Sequence, residues 1–188
     1  MRTPTAGRVM NVYRSATPDQ VADGLAWYSV AHAEAVSLDP TNVHRAAGII
    51  AALSPRVRWE HNLVLARAAY ENGAASGTLG RSCRAANAIL AGAEPADVLN
   101  GPKVLAFYQL IADPNHERAV CIDRHATDVA VGMRLDEAER SAWYQLHRGG
   151  LYEKFADCYR RAAQRLGVLP GQVQAVTWVT WRDQVGIA

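Results

Sequence analysis

Asp123 stands in the run Val120-Cys121-Ile122-Asp123-Arg124-His125-Ala126, where a short apolar stretch meets a carboxylate that opens a helix. The positive end of the helix dipole favours negative charge there. A carboxylate held at the rim of a cleft can take a proton from water, or balance the charge that builds on a sugar as a base departs. The competing reading is a capping aspartate beside a satisfied polar His125. Asp123 and His125 are also types that ligate metals, but the other histidines lack ligand spacing, so no metal site is expected.

Lys103 is the second chemical group. It lies in the first turn of a helix that follows Asn100-Gly101-Pro102. An amine there can hold a phosphate or attack a sugar carbon; it can equally be an exposed lysine in a plain helix hairpin. Only Lys103 and Lys154 are lysines, so amine chemistry has two candidates. A third segment, Leu53-Ser54-Pro55-Arg56-Val57-Arg58-Trp59, puts two arginines in a loop between helices. Guanidinium groups bind phosphate and stack on bases. The alternative is solvent-facing loop arginines with Trp59 in the core.

These groups need a scaffold, and the chain is long enough to build one. It has 188 residues, 49% hydrophobic and 20% charged, which suits one globular domain and excludes a disordered chain. No apolar run is long enough to span a membrane, and no apolar leader follows Met1, so a cytoplasmic protein is expected. The three cysteines, Cys83, Cys121 and Cys158, are scattered, which argues against a disulfide framework, a zinc knuckle or an iron–sulfur cluster. No cofactor is expected. A net charge of +2 excludes a strongly basic nucleic-acid tail, although it allows a local basic face.

Helix-period apolar spacing recurs and strand-like alternation does not, so the chain reads as all-α. Helices are expected over 18–37, from Asp39-Pro40 to Leu53, over 57–72, 82–91, 94–99, 103–112 and from Asp123 to Gly132, near 136–147, over 152–166, and from Pro170 onward. Val43, Ala46, Ala47, Ile50 and Leu53 make one buried face. Val104, Phe107, Tyr108 and Ile111 make another. The segment 119–122 reads as a brief extended piece. Trp178, Trp181 and Arg182 read as a packed terminal helix rather than a base-stacking platform.

Taken in order, the three chemical segments resemble the helix-hairpin-helix DNA glycosylases, the endonuclease III superfamily. There a buried helix ends in a Leu-Ser-x-Gln loop, matched here by Leu53-Ser54-Pro55-Arg56. About forty-five residues on comes a Leu-Pro-Gly-x-Gly hairpin, followed by lysine in lyase members, matched by Leu99-Asn100-Gly101-Pro102-Lys103. About twenty residues further comes Val-Asp-Thr-His, matched by Ile122-Asp123-Arg124-His125. The match covers roughly 40–135. The hairpin is shortened, lacks its second glycine, and gains Pro102, which removes an N–H. Arg56 replaces the glutamine, and the iron–sulfur cysteines are absent. The wording is closest to a phage and bacterial branch assigned to hypermodified pyrimidines, described as putrescinyl- or glutamyl-thymine pyrophosphorylase-like.

The resemblance implies a compact, two-lobed, monomeric helical domain over 1–188 with a helix-hairpin-helix element, encoded by a phage or bacterium. It implies an N-glycosylase that extrudes a modified base from DNA. Asp123 would be the key carboxylate, and water or Lys103 the nucleophile. Arg56, Arg58, Trp59, Asn100, Gly101 and Arg124 would contact DNA, and Ser54, Tyr108 and His125 would line the pocket. Two readings compete: a base-exchange or pyrophosphorylase enzyme on modified nucleotides, and a non-catalytic DNA-binding module.

Overall fold

The computed structural model describes residues 2–186, and it is all-α: eleven helices and no strand among those residues. None of its helices is long and apolar enough to cross a membrane. The chain divides into two compact units. Unit 1 takes the chain up to Tyr28 and from Asn115 onward; unit 2 is Ser29–Pro114.

Unit 1 holds α1 (Ala6–Arg14), the first half of α2 (Pro18–Leu38), α8 (Arg124–Val131), α9 (Glu137–Trp143), α10 (Leu151–Leu166) and α11 (Pro170–Gln184). Its core gathers Val9, Ile122, Val129, Phe155, Tyr159 and Val173, all fully buried. Helices α2 and α11 touch backbone to backbone: a Cβ on Gly24 would fall 2.4 Å from the Val176 Cα. Glycine is therefore required here for close approach. The segment 119–122 is neither helix nor strand. Tyr152 holds it, accepting from the Ile122 N–H at 3.1 Å and donating to the Val120 carbonyl at 2.8 Å. Tyr159 donates to the Ala126 carbonyl at 2.9 Å, tying α8 to α10. Buried Asp128 takes both ends of its carboxylate to one Arg140 nitrogen, at 2.7 and 2.8 Å. Arg140 also donates to the Arg124 carbonyl, so the start of α8 is braced from α9.

Unit 2 holds the second half of α2, α3 (Val43–Leu53), α4 (Trp59–Asn72), α5 (Gly80–Leu90), α6 (Pro95–Val98) and α7 (Pro102–Ala112). Helix α3 is its centre. Every residue from Ala46 to Leu53 is buried, so α3 is covered on all sides rather than along one stripe. Gly48 lets α6 approach, since a Cβ there would meet the Pro95 ring at 2.7 Å.

Four details differ from the expectations. Helix α1 was not anticipated, although Thr5 caps it and Ala6, Val9, Met10 and Tyr13 carry a helical stripe. Helix α3 starts at Val43, capped by Asn42, not at Asp39-Pro40. The Asp39 carboxylate instead closes a turn, accepting from Thr41 and from the Asn42 N–H, and also binds Arg45 and Tyr70. Burial works against that charge, but the hydrogen bonds from Arg45, Thr41 and Tyr70 outweigh it and hold the carboxyl at about 2. Helix α9 stops at Trp143 rather than near 147. In α7 the buried residues are Ala106, Tyr108, Leu110 and Ile111, while Val104 and Phe107 are half-buried.

Candidate active site around Asp123

Asp123 is the N-cap of α8. Its Oδ1 accepts from the Ala126 N–H at 2.8 Å, as a cap does. Its Oδ2 accepts from the Trp178 Nε1–H at 3.1 Å, from a helix 55 residues away in sequence. Both oxygens are therefore fixed, yet the residue stays half-buried and keeps lone pairs for a further partner.

Trp178 is itself fixed. Trp27 meets its ring edge-on at 6.2 Å and His125 at 6.3 Å. The Arg182 guanidinium, one turn on along α11, lies 4.3 Å from the ring centroid. Expected only as helix packing, Trp178 is instead the second anchor of Asp123. A tryptophan 55 residues downstream with no motif around it gives a sequence reader no signal for that bond.

His125 is buried, 6% exposed. Its Nε2 lies 3.2 Å from the Arg124 Nε. Arginine only donates, so the neutral ring carries its hydrogen on Nδ1, and Nδ1 has no hydrogen-bond partner. Burial lowers the imidazole pKa, against the opposing pull of Asp123. Tyr28 donates to the Gln174 Oε1 at 2.7 Å. Burial, with the nearby Cys121 and Asp123, pushes its phenol well above the usual range. Asp123 is thus bonded to Trp178, whose ring in turn meets those of His125 and Trp27. No group of three or more His, Cys, Asp and Glu suited to a metal occurs among the described residues.

Arg124 joins Asp123 and His125 in unit 1, where it is exposed. The other predicted residues lie in unit 2. Ser54 caps the C-terminus of α3 by donating to the Ala51 carbonyl at 2.9 Å. Arg56 is exposed and left-handed, with φ 66°, the one non-glycine residue with positive φ among the described residues. It lines a cavity of about 300 Å³ with Leu79, Gly80 and Arg81. Arg58 is exposed at the N-cap of α4, and Trp59 is half-buried, its ring meeting Phe107 edge-on with centroids 6.4 Å apart. Asn100 and Gly101 form the turn between α6 and α7; Gly101 has φ 89°, a conformation that suits glycine. Pro102 and Lys103 open α7, with Lys103 exposed. Tyr108 is buried and donates to or accepts from the His44 Nδ1 at 3.0 Å, and burial raises its pKa.

No curated protein and no solved structure shows significant similarity to the chain. A family model matches residues 1–185, and the chain therefore belongs to that family, described as a family of unknown function, DUF7178.

Proposed function

We propose that the protein is a DNA N-glycosylase that removes a modified pyrimidine, with Asp123 as its reacting carboxylate. One observation carries the reading: Asp123 is anchored at both oxygens, by the Ala126 N–H and by the Trp178 indole, while remaining half-buried. A cap needs only the first bond. The second fixes the plane of the carboxylate, which a helix start does not require and a reacting group does. The order Leu53-Ser54, Gly101-Pro102-Lys103, Ile122-Asp123-Arg124-His125 supports the same superfamily.

In this reading the bond between sugar C1′ and the base nitrogen breaks, and its electron pair leaves with the base. The sugar gains positive charge, which the Asp123 carboxylate, held by the Ala126 N–H and the Trp178 indole, stabilises. Water adds to C1′ and gives its proton to Asp123, and the departing base takes a proton from solvent. The Lys103 amine is the chemical alternative to water; attack through its Nζ would leave a Schiff base that borohydride reduces to a stable cross-link.

The test is an incubation with DNAs carrying normal, damaged and hypermodified pyrimidines, scored for free base and abasic sites. Release by the wild type that Asp123→Asn abolishes supports the glycosylase. A cross-link lost in Lys103→Ala supports the amine route. Turnover of free modified nucleotides but not of DNA supports the pyrophosphorylase-like reading, for which Pro102 speaks, since it takes an N–H from the hairpin's phosphate side.

A further inference from the structure

Two half-buried arginines of unit 1 are paired with carboxylates. Arg140 binds Asp128, and Arg160 binds Glu153 and Asp157. Their charges are spent on the fold. Arg182 binds no carboxylate and makes no hydrogen bond within the described residues, although it is half-buried and laid across the Trp178 ring. A place in the last turn of α11 suits its charge wherever the side chain points. Stacking narrows that freedom: the ring holds the guanidinium, whose five N–H donors make no hydrogen bond among the described residues. The same ring donates to Asp123 at its edge. Arg124, exposed beside Asp123, adds a second guanidinium, and both charges disfavour protonation of His125.

A fixed, unpaired guanidinium one side chain from a reacting carboxylate is suited to an anion that belongs to the same substrate. We infer that Arg182 holds a phosphate of the nucleotide whose sugar faces Asp123, so that the ligand of this face is a phosphate ester, in a DNA strand or a free nucleotide. The location rests on the reading of Asp123 given above; the binding measurement does not. Phosphate recognition by a planar fork favours bidentate contact, and the ring keeps that fork from swinging away.

The experiment measures binding of two probes: an end-labelled duplex with a central tetrahydrofuran abasic analogue, by anisotropy across a salt series, and thymidine 5′-monophosphate against thymidine, by calorimetry. The proteins are wild type, Arg182→Gln and Arg182→Lys, each checked for helicity. Arg182→Gln is expected to weaken duplex binding about tenfold and to flatten the plot of log affinity against log salt by about one charge. Arg182→Lys keeps the salt slope and loses a few-fold in affinity, because charge remains and the fork does not. An effect on the monophosphate that is absent with thymidine, without an effect on the duplex, assigns the phosphate to a free nucleotide. Unchanged affinity and slope in Arg182→Gln for both probes overturns the inference, as does a wild type that binds neither at low salt. Base release with an indifferent Arg182 removes this inference alone; a lost slope without base release removes the glycosylase reading alone.

Discussion

The Trp178 indole N–H lies 3.1 Å from the Asp123 Oδ2, on the oxygen that the helix cap leaves unused. That bond joins the start of α8 to the middle of α11 and sets the carboxylate plane. Under the proposed reading, the same bond orients the carboxylate for reaction.

Trp178→Phe keeps the aromatic packing and removes the donor. Base release is expected to fall by about tenfold or more in kcat, with KM little changed, because a hydrogen bond to a charged group is worth about 1.5–3 kcal/mol. Circular dichroism should show native helicity. A variant with full kcat would leave Trp178 a packing residue.

Gly24→Ala tests the crossing of α2 and α11. The added Cβ would sit 2.4 Å from the Val176 Cα, a backbone atom that cannot swing aside. A loss of about 2 kcal/mol is expected, since overpacking outweighs the better helix propensity of alanine. Gly7→Ala, in α1 with nothing within 4 Å of the new Cβ, should instead gain about 0.5–1 kcal/mol. Urea unfolding of both variants checks the contrast.

Asp39 sets an acid limit on unit 2. Its folded-state carboxyl lies at about 2, below its unfolded value, so it stabilises the fold above the unfolded pKa. As pH falls from about 4 to about 2 that stabilisation, on the order of 2 kcal/mol, is lost. Unfolding midpoints across this range should drop for the wild type and stay flatter for Asp39→Asn, which begins less stable because Arg45 loses its charged partner. Equal pH dependence in the two proteins would contradict this.

The helical scaffold was legible because burial follows apolar spacing. Ala46, Ala47, Ile50 and Leu53 do face the core, though α3 is buried all round because α4, α5, α6 and α7 all pack against it. Asp123 was legible as the residue that opens α8. The start of α3 was not, because Asp39-Pro40 resembles a helix start while the Asp39 side chain is committed to a turn and to Arg45 and Tyr70. Trp178 and Arg182 escaped for a different reason. Their roles come from the tertiary approach of α11 to α8, and i, i+4 spacing alone reads the same for core packing and for a stacked cation. His125 was placed beside Asp123 by the sequence, but the unpartnered Nδ1 follows from burial, which no spacing encodes.

The measurement closest to the central claim compares wild type with Asp123→Asn. Asparagine preserves the cap through its Oδ1 but turns an amide donor toward the Trp178 N–H, so the variant should remain folded and lose about 1.5–3 kcal/mol. If Asp123 is the reacting carboxylate, wild type releases a hypermodified pyrimidine from DNA and the folded Asp123→Asn protein releases none. Release at equal rates by both proteins would contradict the account and return Asp123 to the role of a cap.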